Sequence, residues 1–253
     1  MKLKRIVTII TLLLSLNFSV VASVPIIDGG KPDKFMTIGL RAGITTSNIS
    51  DNTLNIMPRT SQYNVFWRSG FHIGVMAEMA INNFFSIKTG CNFQTRAYDV
   101  TAMSSDSKTQ SMNSSYTHSN YYYFSIPILL CPTINLGESA RLSLELGAYL
   151  AHGIGGSRKR TSFAYQGSDD SDGYFGSNFS KGDYFGPNSD ALIHVKRPDF
   201  GMVLGLELTV LKHYCIGAHY EAGLKNIALN TIENPSRFSL KNQAWRFSLG
   251  YNF

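Results

Sequence analysis

Nine charged residues fall where they could meet inside a narrow space: Arg41, Glu78, Lys88, Arg96, Arg141, Glu145, Glu207, Glu221 and Arg246. Each occupies a polar place in a stretch whose apolar residues recur every second position. Five cations and four carboxylates on one kind of face can do two things. They can neutralise one another as internal salt bridges, or they can line a selective path for ions. The first is favoured wherever the face is enclosed, because an unpaired charge away from water is prohibitively costly.

Other side chains carry weaker chemical signals. His72 and His219 lie on the charged face, His213 in a turn, and His118, His152 and His194 in or beside long connections. None stands with a serine nucleophile and an acid in the pattern a lipid hydrolase needs, so no catalytic residue and no enzyme is expected. Cys91, Cys131 and Cys215 are too few for a Cys-only zinc site and read as free thiols. Ser168-Asp169-Asp170-Ser171-Asp172-Gly173 only partly matches a calcium loop, and Phe179 stands where a bidentate Glu should be. No metal or cofactor is expected. The net charge is +6, and half of it comes from Lys2, Lys4 and Arg5. Arg158-Lys159-Arg160 is the one tight basic cluster and reads as a solvated loop, so nucleic acid is not an expected partner.

The elements that must position the nine charges are strands. Met36 to Ile44, Phe71 to Met79 and Ile87 to Arg96 alternate apolar and polar residues, as do Leu142 to Leu150, Phe200 to Leu208, Tyr214 to Leu224 and Trp245 to Phe253. Period two marks strands with one apolar and one polar face. With Tyr122 to Leu130 they make eight, at about 35–46, 69–80, 85–98, 120–131, 140–152, 199–209, 213–226 and 241–253. Each is long enough to cross a bilayer at a tilt. The connections alternate in length: 47–68, 99–119, 153–198 and 227–240 are long, while 81–84, 132–139 and 210–212 are short. The fold expected is all-β: an eight-stranded antiparallel up-and-down transmembrane barrel over 35–253, with short periplasmic turns and long extracellular loops. A lipocalin-like soluble barrel would face its apolar residues inward and leave the charges to be divided between surface and core. The inside-out arrangement keeps every strand charge in the lumen. Pro127 lacks the N–H a closed ladder wants, so a bulge or an unpaired site is expected there.

Both ends carry signals. Lys2, Lys4 and Arg5 followed by apolar Ile6 to Leu16 and small Ala22 read as a signal peptide over 1–22, leaving a periplasmic segment over 23–34. Trp245, Phe247, Leu249, Tyr251 and Phe253 share one face and end on Phe, like the recognition signal read by the barrel-assembly machinery of Gram-negative outer membranes. Composition agrees: 43% hydrophobic and 12% aromatic with only 16% charged residues excludes disorder. A mean hydropathy of −0.06 argues against a bundle of membrane helices.

The chain resembles the PorT-type outer-membrane β-barrel family of Bacteroidetes over about 35–253. The carriers are Tyr121-Tyr122-Tyr123-Phe124-Ser125-Ile126-Pro127-Ile128-Leu129-Leu130, Gly201-Met202-Val203-Leu204-Gly205, Tyr220-Glu221-Ala222-Gly223-Leu224-Lys225-Asn226-Ile227 and Gly250-Tyr251-Asn252-Phe253. The resemblance implies fold and location, the outer membrane of a Gram-negative bacterium with both termini periplasmic. It implies little about activity. Phe163, Tyr165, Tyr174, Phe175, Phe179, Tyr184 and Phe185, set among Gly, Ser and Asp in the third long connection, suit surface recognition or a cover over the barrel mouth. The function expected is a non-enzymatic barrel with a plugged lumen. It would act through its loops or an envelope or surface protein partner, in contact with outer-membrane lipid. A small pore or transporter for ions or small solutes is the alternative, and bilayer conductance separates the two.

Overall fold

A computed structural model describes residues 25–51, 61–106, 110–168, 171–185, 194–229 and 239–253, with the backbone alone at 51, 61, 168, 171–174 and 194. The signal segment 1–22 lies outside the described residues, as do Asp169 and Asp170 of the partial calcium motif.

The strands are β1 (Met36–Asp51), β2 (Ser61–Ala80), β3 (Phe85–Asp106), β4 (Ser111–Asn135), β5 (Ala140–Ser168), β6 (Ser171–Asp183), β7 (His194–Val195), β8 (Pro198–Val210), β9 (Tyr214–Gly223), β10 (Ala228–Leu229) and β11 (Leu240–Asn252). Eight of them close a ring in the order β1-β2-β3-β4-β5-β8-β9-β11, every neighbour antiparallel. β11 meets β1 from Gly39↔Asn252 to Asp51↔Leu240, so the last strand seals the first. β6 folds back on β5 outside the ring, and β7 pairs with β10, its Val195 also bridging Phe185.

Period two dictates the wall. On β4, Tyr121, Tyr123, Ser125, Pro127, Leu129 and Cys131 are buried, while Tyr122, Phe124, Ile126, Ile128 and Leu130 are exposed. On β8, Gly201, Val203, Gly205 and Glu207 turn inward, and Phe200, Met202, Leu204 and Leu206 turn out. Trp245, Phe247, Leu249, Tyr251 and Phe253 also face outward. A belt of large apolar side chains thus surrounds an interior holding the charges, the reverse of a soluble barrel. No helix among the described residues is long and apolar enough to cross a membrane.

The short connections follow expectation. The β8–β9 turn places Leu211 and Lys212 in the left-handed region at φ 53 and 63, which closes the hairpin in a few residues. The long ones differ from expectation. Residues 47–51, 61–68, 99–106, 111–119 and 153–168 are strand rather than loop, so β3, β4 and β5 run well beyond the apolar belt. Pairing continues there because backbone hydrogen bonds need no apolar face. Sequence period fades because no lipid imposes it.

Two irregularities matter. Pro127 interrupts the β3–β4 ladder without shifting its register, since Thr89↔Ile128 and Asn92↔Ser125 remain in phase; it is the unpaired site rather than the bulge. Thr89 donates its hydroxyl to Pro127 O at 2.9 Å. A true bulge sits on β5, where Tyr122 faces Gly155 but Tyr123 faces Gly153. The extra residue, Ile154, exchanges the two faces of β5 beyond it.

The short-turn end carries a strap. Pro25 to Phe35 crosses it, taking hydrogen bonds from Asn135 to Ile26 O and Pro25 O (2.9 and 3.0 Å) and from Asn83 to Gly30 O and Asp28 (3.0 and 2.7 Å). Lys212 Nζ lies 2.8 Å from Asp33, and its ammonium holds that exposed carboxyl below the ordinary carboxylate range.

Candidate functional site: the barrel lumen and the outer arm

The interior is a stack of charge pairs, and most of them cross it. Arg41 on β1 grips Glu207 on β8 with Nε and Nη2, at 2.7 and 3.0 Å. Lys88 on β3 reaches Glu145 on β5 at 2.7 Å and Glu207 at 2.8 Å, with Glu78 at 3.5 Å. Glu145 also pairs with His219 Nε2 on β9 at 2.6 Å. Arg96 spans from β3 to Glu221 on β9, the strand opposite in the ring, and to Asp199 on β8 at 3.3 Å. Arg246 Nε lies 2.9 Å from the other oxygen of Glu221, close enough to pair but angled off a hydrogen bond.

All of these except Glu78 are almost wholly buried. Arg41, Lys88, Arg96 and Arg246 therefore face Glu145, Glu207, Glu221 and Asp199, four cations against four acids. Cross-wall reach follows from ring size, since eight strands leave an interior about as wide as its side chains. Two glycines make room. A Cβ at Gly205 would lie 2.1 Å from the His219 ring, and one at Gly153 would lie 2.2 Å from Phe185.

Of the nine residues expected to form a lumenal charge network, the structure brings together eight. Arg141 departs: it sits half-buried at the short-turn mouth and donates to Asn83 O at 3.0 Å. Glu78 is at the fringe, 21% exposed, and also accepts from Ser86. The charge list missed Asp199, which occupies the first inward place of β8, two residues before Gly201. It accepts from Tyr149 at 3.0 Å and from Asn242 at 2.8 Å. Asn242 in turn accepts from Tyr121 at 2.9 Å. Reading the period one step further toward the strand end would have found it.

Toward the long-arm end the filling turns aromatic. The Arg96 guanidinium sits 5.2 Å from the Tyr123 ring centre and 5.5 Å from that of Tyr149. Tyr184 stacks on Tyr121 at 4.1 Å with Phe185 set edgewise against it. Arg158 and Arg197 lie over Tyr184 and Phe185. Of the two roles the sequence offers these aromatics, surface recognition or a cover over the barrel mouth, Tyr184 and Phe185 do not fit the first: they are buried, because the chain leaving β6 turns inward at Gly156. Phe163, Tyr165, Phe175 and Phe179 are exposed on the arm, and the side chain of Tyr174 lies outside the described residues. Between the charged layers remains a cavity of about 20 Å³ beside His72, Lys88, Glu145, His219 and Arg246, room for roughly one water.

His72 is buried and shares a hydrogen bond with Thr45 at 3.2 Å. Cys131 and Cys215 are buried free thiols, and Cys91 faces outward. No group of three or more metal-ligating residues occurs among the described residues.

The chain is similar to several solved outer-membrane proteins at low identity. The attachment invasion locus protein Ail of Yersinia pestis, solved with the heparin analogue sucrose octasulfate, is 14% identical (87% of this chain, 100% of that one, TM-score 0.37). OprG of Pseudomonas aeruginosa is 12% identical (90% and 99%, TM-score 0.43), and Neisserial surface protein A is 12% identical (85% and 97%, TM-score 0.35). No curated protein matches. The sequence family described as the outer membrane protein beta-barrel domain matches residues 30–229. An apolar belt outside, a charged lumen inside and a match across most of the chain lead to one conclusion: the chain belongs to the outer membrane protein beta-barrel domain family.

Proposed function

We propose that the protein is a closed, non-enzymatic outer-membrane barrel that displays a β-sheet arm at the cell surface and acts by binding there. The observation that carries this reading is Arg96, which bridges opposite walls to Glu221 and Asp199 beneath a layer of Tyr121, Tyr123, Tyr149 and Tyr184. A lumen crossed by desolvated ion pairs and stacked rings has no room for a hydrated ion. On this reading the signal segment 1–22 directs export, both termini lie in the periplasm, and the aromatic face ending at Phe253 serves the barrel-assembly machinery. The placement of Met36 and Asn252 at the short-turn end agrees with that orientation. The sequence segments around Tyr121–Leu130 and Tyr220–Ile227 support assignment to the PorT-type branch of Bacteroidetes.

Two experiments test the proposal. The purified chain should give no stable single-channel current in a planar bilayer. A reproducible, ion-selective conductance altered by Glu145→Ala would replace the closed barrel with a small pore, the reading that a charged lumen otherwise favours. A Ser177→Cys variant on intact cells should react with a membrane-impermeant maleimide, because Ser177 is exposed on β6. Labelling only after lysis would refute surface display.

A further inference from the structure

The basic run Arg158-Lys159-Arg160 is unused by the lumen network, and the structure divides it. Beyond the bulge at Ile154 the even-numbered residues of β5 turn inward, and Arg158 lies over the buried Tyr184 ring. Lys159 therefore turns outward, onto the face that continues the lipid-facing wall, and it is exposed. Its register partner on β6 is Lys181, also exposed. Its partner on β4 is His118, which is tied to Asp99 at 2.6 Å.

Two lysines directly opposite each other on one sheet face repel. No ion pair to either is found among the described residues, and the nearest acid on that face is Asp183, one rung away opposite Ser157. The pair stands four residues beyond Tyr122, whose ring closes the apolar belt on β4. At about 3.3 Å per residue and a strand tilt near 40°, that is roughly 10 Å above the hydrocarbon edge, where headgroup phosphates and sugars lie. Above the lysines the same face carries Tyr116, Phe163, Tyr165, Phe175 and Phe179, all exposed. Lysines below and flat aromatic rings above match a phosphorylated sugar headgroup: ammonium groups for phosphate, rings for the apolar faces of the sugars.

We infer that Lys159 and Lys181 form a binding site for the phosphorylated glycolipid of the outer leaflet, with the aromatic face of β5 and β6 against its sugars. The site rests on the surface-display reading above, since only that orientation sets the arm beside this leaflet.

The test uses the full chain folded in neutral detergent and bis-phosphorylated lipid A as the probe, with binding read by native mass spectrometry. Lys159→Ala with Lys181→Ala should weaken binding about tenfold, the loss of two exposed charge-assisted contacts. Lys159→Arg with Lys181→Arg should retain it. Lipid A stripped of its phosphates should bind the unaltered chain as weakly as the double-alanine variant binds the intact lipid. Phosphatidylglycerol and inorganic phosphate should compete poorly, because neither offers sugars to the rings. Equal affinity of the unaltered and double-alanine chains overturns the site, as does equal binding of dephosphorylated lipid A. Inorganic phosphate displacing the lipid efficiently would reduce it to a free-anion site and overturn it too. Heat-modifiable migration of each variant checks that the barrel has formed. Because these arms use purified protein, they can succeed while intact-cell labelling of Ser177→Cys fails, which separates this inference from the orientation it rests on.

Discussion

The wall of the barrel and the arm above it are made of the same strands under opposite constraints. Inside the belt, β4 and β5 place Tyr123, Leu129, Glu145 and Tyr149 against a crowded lumen and Phe124, Ile128, Leu146 and Leu150 against lipid. Above the belt, the same two strands join β6 in a sheet whose outer face carries Lys159, Phe163 and Phe179 in solvent. The lumen of the wall is crossed by charge pairs and, toward the arm, by packed rings. The arm is held by backbone pairing of β4, β5 and β6, with Phe163 stacked on Phe175 across its exposed face. On the proposed reading, stability and recognition fall to different lengths of one hairpin.

The largest effects should come from the lumen. Glu221→Ala strips two buried guanidiniums, Arg96 and Arg246, of a shared carboxylate. It should cost about 3–5 kcal/mol in denaturant unfolding, or prevent assembly outright. Leu204→Arg, on the lipid face, should cost about 2–4 kcal/mol if that face lies near the bilayer midplane. The converse change on the arm, Phe179→Arg, should stay within about 0.5 kcal/mol, because Phe179 is 63% exposed on a solvated face. Equal costs for Leu204→Arg and Phe179→Arg would erase the distinction between wall and arm.

Within the lumen the contrast can be sharpened. Glu145 is buried between Lys88 and His219, whereas Glu78 is partly exposed at 3.5 Å from Lys88. Glu78→Ala should thus cost no more than about 1 kcal/mol. Asp33→Asn, which removes a fully exposed partner of Lys212 in the strap, should leave the melting temperature unchanged at neutral pH. Its depressed carboxyl confines any contribution of that pair to pH above the folded value, lost only as acid is added through it.

The wall was legible in the sequence because lipid outside and charge inside leave only one phase for each strand. Arg41, Lys88, Arg96, Glu145, Glu207, Glu221 and Arg246 could be placed from alternation alone. Arg141 could not, since one strand-end residue can face the lumen or its rim without breaking the period. The arm was illegible for the complementary reason. Thr101, Ser114, Ser115 and Thr117 pair as strand, yet nothing imposes a hydrophobic phase on them, and they read as loop. The burial of Tyr184 and Phe185 depends on a turn after β6 that places them over Tyr121, a contact 63 residues away in sequence for Tyr184 and visible only once the ring has closed.

Ion pairs brace opposite walls of the barrel, and a double-mutant cycle on Arg96 and Glu221 measures that brace directly. Arg96→Met, Glu221→Gln and the pair together would be unfolded in denaturant from the same detergent. A coupling of about 2 kcal/mol or more is expected, with the double variant more stable than the sum of the single losses implies. Additive losses, with coupling near zero, would mean that the two side chains do not meet across the lumen.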